Sequence, residues 1–138
     1  MNKEEILEFV AKNPLFSLAT IEGHRPRVRK MMLYRADENG IIFVTGRQKA
    51  LYEQLQVNPV VEMCFFNTDE GRQLRIEGTV EMLDDLELKK QVLERFTFLK
   101  PWIEKQGYDV LICYRLKDAK ATPWTLETNF EPKTYIPL

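Results

Sequence analysis

The chain has 138 residues, 44% of them hydrophobic and 30% charged, enough apolar content for one packed core and too much for a disordered chain. Its 20 Lys and Arg nearly balance 21 Asp and Glu, for a net charge of −1. That excludes the global basic field usual in nucleic-acid binders and leaves any anion site to a local cluster. One domain over 1–138 is expected, with no linker, repeat or low-complexity stretch. The opening MNKEEILEF has no basic or apolar signal region, and no apolar run approaches the roughly 20 residues a membrane span needs. A cytoplasmic protein without a membrane partner is the expectation.

In chain order, Asn2 to Lys12 reads as an amphipathic helix with the stripe Ile6, Phe9, Val10. Asn2 and Glu5 sit at capping-box spacing, and Asn13-Pro14 ends the helix. Strands follow at Phe16 to Ile21, Arg27 to Tyr34 and Ile41 to Thr45, separated by turn signals at Glu22-Gly23-His24 and Asp37-Glu38-Asn39-Gly40. Leu51 and Leu55, four apart, predict a helix from about Arg47 to Gln56, stopped by Asn58-Pro59.

Val60 to Phe66 and Leu74 to Met82 form the next strand pair. In the second, Leu74, Ile76, Val80 and Met82 alternate with polar residues, as in a half-buried antiparallel strand. Gly78, on the apolar side, suggests a bulge or close approach at a barrel corner. A helix is expected from Asp84 to about Leu99, capped by Asp84 with Glu87 and buried through Leu88, Val92, Leu93 and Phe96. Pro101 to Lys105 adds a short helix closed by Gly107, and Val110 to Leu116 and Thr122 to Thr128 read as the last two strands. The fold class is therefore mainly β with α (α+β). An antiparallel sheet of seven short strands would remove its exposed edges by closing into a barrel with flanking helices.

Cys64 and Cys113 lie in strand-like stretches without metal spacing and read as buried free thiols. The only histidine, His24, sits in a turn. Zinc, haem and histidine-dependent sites within one chain are not expected.

The unusual segment is Arg27-Val28-Arg29-Lys30-Met31-Met32, three cations within four residues on a strand. Alternation puts Arg27 and Arg29 on one face and Lys30 on the other. The pattern fits a solvated edge strand or a strand that meets an anion. The second segment, Phe43-Val44-Thr45-Gly46-Arg47-Gln48-Lys49, runs from a strand into a helix start carrying Arg47 and Lys49. Cations there oppose the helix dipole unless an anion is bound, and Thr45 adds a hydroxyl. A phosphate would satisfy all of these groups together.

The ordered set Gly23 to Met31, Ile42-Phe43-Val44-Thr45-Gly46, Lys49, Gln54-Leu55, Asn58-Pro59-Val60-Val61-Glu62 and Arg75-Ile76-Glu77-Gly78-Thr79-Val80 resembles the pyridoxamine 5'-phosphate oxidase-like family. Within that family the chain resembles the general-stress-protein branch of flavin-nucleotide-binding split β-barrels. The resemblance covers roughly residues 1–116. It implies an antiparallel split β-barrel and a homodimer holding FMN at the subunit interface. Arg29 and Lys49 would hold the phosphate with help from Thr45, with Arg27 and Arg47 as further cations. The backbone of Lys30, Met31 and Met32 would follow the isoalloxazine edge, Val44 would flank it, and Trp102 and Trp124 would line the partner side. Lys30 stands where the family often has proline.

The implied function is a flavin-dependent oxidoreductase with a small-molecule electron donor and acceptor and no catalytic side chain. No histidine follows His24, so the Arg-x-His substrate signature of the vitamin oxidases is absent. A non-catalytic flavin-binding or stress-related module is the alternative, as is a binder of a deazaflavin or haem. The near-zero net charge argues against the remaining reading, a barrel that binds nucleic acid or protein through solvent-facing cations.

Overall fold

The computed structural model describes residues 1–138. Helix α1 (Lys3–Lys12) is capped as its spacing predicts: Asn2 accepts from Glu5 N–H while the Glu5 carboxylate accepts from Asn2 N–H. Its buried stripe is Ile6, Phe9 and Val10. Strands β1 (Leu15–Glu22), β2 (Arg25–Asp37) and β3 (Gly40–Gly46) form an antiparallel meander, followed by α2 (Ala50–Val57). Then come β4 (Val60–Asn67), β5 (Arg72–Leu83), α3 (Leu86–Arg95), a 3-10 turn at Thr97–Leu99, α4 (Lys100–Gln106), a 3-10 turn at Tyr108–Val110, β6 (Leu111–Trp124) and β7 (Ile136–Pro137).

The hydrogen-bonded order is β3-β2-β1-β4-β5-β6, and β3 also pairs with β6, so six strands close into an antiparallel barrel with flanking helices. The two-residue β7 adds to β6 through Lys120↔Pro137 and Ala121↔Ile136. Inward residues of every barrel strand fill the interior, where Phe16 stacks on Phe65 at 4.9 Å and meets Phe43 edge-on at 6.0 Å. A second apolar cluster lies outside the barrel, where Leu88, Val92 and Leu93 of α3 and Ile103 of α4 cover Ile42, Leu111 and Cys113. No helix is long and apolar enough to cross a membrane.

Several local expectations are corrected. The predicted strand over Thr122 to Thr128 is strand only over Thr122–Trp124, and there as the end of β6 rather than a separate strand. Leu111–Trp124 is one long strand and residues 125–131 are turns. The polar run Lys117-Asp118, which lies between the two expected strands, is a bulge. Glu77 pairs with Lys120 and Thr79 with Lys117, so Asp118 and Ala119 stand opposite Gly78, with Asp118 at φ +52°. Helix α2 begins at Ala50, which leaves Arg47 in the preceding turn and Lys49 as an extended N-cap. Helix α3 is capped by Asp85, which accepts from Leu88 N–H, rather than by Asp84. It stops at Arg95, with Phe96 as its half-buried C-cap. Met82, paired with Tyr114 near the end of β5, is exposed, and Cys64 is half-buried on the outer side of β4.

Candidate functional site

Strand β2 makes the opening from which the site is built. Arg25 to Met32 pair with β1 alone, and pairing with β3 starts at Leu33. Alternate backbone N–H and C=O groups of that stretch therefore face an edge with no strand beside it. Against the end of that stretch lies a cavity of about 390 Å³. Lys30, Met31 and Met32 supply one wall, and Val44, Thr45 and Gly46 at the end of β3 supply the floor. Lys49, at the start of α2, borders it, and Phe96, Phe98, Leu99 and Trp102 close the far side. The lining is mostly apolar, with two lysines and neither carboxylate nor histidine.

Four details bear on what the cavity suits. The Thr45 hydroxyl is buried and has no hydrogen-bond partner within the protein, which is costly unless something else meets it. A Cβ on Gly46 would lie 2.9 Å from Trp102 Cη2, so the indole seats against bare backbone at the end of β3. No side chain caps the start of α2. Lys30 and Lys49 form no ion pair.

Arg29 lies on the inward face of β2, opposite Leu18 of β1, at the barrel end covered by α2. Its Nη1 donates to Thr20 Oγ1 at 2.7 Å and Leu18 O at 3.3 Å, and its Nη2 donates to Gln54 Oε1 at 2.5 Å. No carboxylate pairs with it. Burial, and secondarily the Arg27 charge, pull Arg29 below the usual guanidinium value. A partly desolvated cation without a counter-ion favours an incoming anion.

The structure thus brings Lys30, Met31, Met32, Val44, Thr45, Lys49 and Trp102 to one cavity; Arg29 does not line it and is tied through Gln54 to α2, whose N-cap Lys49 does. The other sequence-predicted residues have other neighbours. Arg27 pairs with Glu22 at 2.9 Å on the surface. Arg47 donates to Asp109 O and to Tyr52 Oη, both at 2.9 Å, and so ties α2 to the turn before β6. Trp124 donates to Asn129 Oδ1 and lines a separate groove with Arg72 and Lys133.

Missed from sequence were Phe96, Phe98 and Leu99 on the cavity wall and the buried pair Thr20 and Gln54. The last two carried a signal. Thr20 continues the inward series Phe16, Leu18, and Gln54 shares the buried stripe of Leu51 and Leu55. A polar residue at an inward position needs a buried partner.

Residues 2–107 match the family described as pyridoxamine 5'-phosphate oxidase. A pyridoxine/pyridoxamine 5'-phosphate oxidase of Pseudomonas putida is 46% identical over 66 residues, which is 47% of this chain and 31% of that protein. The chain therefore spans about a third of the length of that curated relative. A NimC/NimA family protein from Clostridium acetobutylicum superposes with a TM-score of 0.80 at 26% identity, over 98% of this chain and 92% of that one. General stress protein 26 from Bacillus anthracis gives 0.71 at 19% identity, over 99% and 98%. A pyridoxamine 5'-phosphate oxidase-related, FMN-binding protein from Nostoc punctiforme gives 0.61 at 16% identity, over 96% and 88%. With more than half its length inside the family profile and a closed six-stranded barrel to match, this chain belongs to the pyridoxamine 5'-phosphate oxidase family.

Proposed function

We propose that this protein binds FMN in the cavity beside β2, as a homodimer, and serves as a flavin-dependent oxidoreductase for a small molecule. The observation that carries the reading is the pairing of an apolar, aromatic-walled cavity with unpaired positive charge. Trp102 and Phe96 offer apolar surface to a flat ring. Lys49, the orphaned Thr45 hydroxyl and the unpaired Arg29 are suited to its phosphate. The Nostoc neighbour described as FMN-binding supports the choice of ligand.

When bound, FMN would accept and pass on electrons or a hydride, chemistry the chain itself does not supply. The chain's part is binding and electrostatics. Lys30 places a cation on the cavity wall, and the unpaired edge of β2 offers backbone donors and acceptors to a polar ring edge. The lining holds no histidine or carboxylate, and its ionisable side chains are Lys30 and Lys49.

A second copy is argued from the outer face of β1, β2 and β4. Leu15 pairs with Met32 and Ala19 with Val28, and Val60 and Phe66 continue the same face. Leu15, Ile21, Val28, Met32, Val60 and Phe66 are all exposed on this face, with Ser17, Lys30 and Glu62 between them, an apolar set of the kind that marks a protein interface. Met32 belongs to both this face and the cavity, so a partner seated there would complete the cavity wall.

The test is retention of flavin. Purified with excess FMN and freed of unbound ligand, the parent should keep a visible flavin spectrum. The Arg29→Ala/Lys49→Ala variant should lose it, because two charge-assisted contacts at about 1.5–3 kcal/mol each amount to roughly a hundredfold or more in affinity. A parent that neither retains nor titrates with FMN would refute the proposal.

A further inference from the structure

Arg29 is held by a buried polar network that the cavity alone does not explain. Thr20 and Gln54 are both almost fully buried. The Thr20 hydroxyl donates to Gln54 Oε1 at 2.6 Å, and the two oxygens accept from Arg29 Nη1 and Nη2. With Leu18 O also accepting from Nη1, three of the five guanidinium N–H groups are used. Nε–H and one Nη2–H remain, and they form the side-on edge that grips an oxyanion through two parallel bonds.

Gln54 has a second task. Its Nε2 donates to Glu22 Oε2 at 3.2 Å, while Glu22 Oε1 accepts from Arg27 at 2.9 Å. The Arg27 hydrogen bond, then the one from Gln54, hold the Glu22 carboxyl below its ordinary value, so it stays charged. The Gln54 amide therefore stands between a guanidinium and a carboxylate, with its oxygen toward one and its nitrogen toward the other. A carboxylate at that position would close an ion pair with Arg29 and take up the cation.

We infer that Gln54, with Thr20, is a positioning residue for anion recognition. It orients Arg29 and keeps it from pairing with Glu22, so that its free edge takes the terminal phosphate of a phosphorylated ligand. This rests on the assignment of Arg29 to the phosphate and adds the device that keeps Arg29 available. Helix α2 then carries both halves of the anion site, Lys49 at its N-cap and Gln54 one turn further on.

The experiment compares FMN with riboflavin, which lacks the phosphate, on the parent, Gln54→Glu and Gln54→Leu. Thermal stabilisation by inorganic pyrophosphate is measured on all three. In both variants the FMN-to-riboflavin affinity ratio should fall at least tenfold, with riboflavin affinity within twofold of the parent. Pyrophosphate should stabilise the parent and not Gln54→Glu. A merely structural role would lower the melting temperature or weaken both flavins equally, leaving the ratio unchanged, and that result overturns the inference. If the parent binds no flavin but responds to pyrophosphate in a Gln54-dependent way, the flavin reading falls and this one stands. A parent indifferent to both flavin and pyrophosphate overturns both.

Discussion

Tyr114 and Cys113, neighbours on β6, face opposite sides of the sheet: Tyr114 packs in the barrel interior and Cys113 under α3 and α4. Burial, then the nearby Tyr52, pushes the Tyr114 hydroxyl up from 10.0 to about 12, with Arg47 opposing. Burial likewise lifts the Cys113 thiol from 9.0 to about 11. Both groups are favoured neutral in the folded chain. Their contribution is thus fully present below the unfolded values near 9.0 and 10.0 and is lost as pH rises through the folded ones. The Tyr114 hydroxyl also lacks a partner. Tyr114→Phe should leave stability at neutral pH unchanged or raise it by up to about 1 kcal/mol. It should also make the alkaline loss between roughly pH 10 and 12 shallower in urea melts. A variant that loses stability at neutral pH would show that the hydroxyl is satisfied after all. At this scale the charges were legible in the sequence and their destinations were not. Arg27, Arg29 and Arg47 look alike in a one-dimensional pattern, yet one reaches Glu22, one Gln54 and one Asp109. Which acceptor lies within reach depends on strands and helices far apart in the chain.

Among the elements, β6 decides how the barrel turns its corner. Gly78 of β5 faces the bulge in β6, and a Cβ there would lie 2.9 Å from both Lys117 O and Leu116 Cδ1. The backbone oxygen cannot rotate away, so Gly78→Ala should cost about 1–3 kcal/mol by overpacking, read as a lowered urea midpoint with the slope unchanged. No change in midpoint would mean that the corner is soft. The glycine was legible as a corner because it interrupts a clean alternation. The single strand around it was not, because Lys117, Asp118 and Lys120 carry the composition of a turn while serving as an exposed bulge. The start of α2 was read early for a related reason. The leucine spacing finds a helix but not its first residue, and Lys49 has no side-chain cap to mark it.

For the whole molecule, hairpins and turn signals made an antiparallel barrel legible, since consecutive strands mostly pair. The closing pair, β3 with β6, joins residues more than 60 positions apart, as in Ile42↔Arg115, and no local pattern announces it. The second copy proposed on the β1-β2-β4 face is a property of the assembly, and Met32 links it to the cavity. The central claim is that flavin and dimer go together, so the most direct measurement is sedimentation of the purified protein with FMN, followed by flavin absorbance. The account predicts that the flavin moves with a species of twice the 16.3 kDa chain mass, at one flavin per chain. Flavin left behind at the rate of free ligand, while the protein sediments without it, would contradict it.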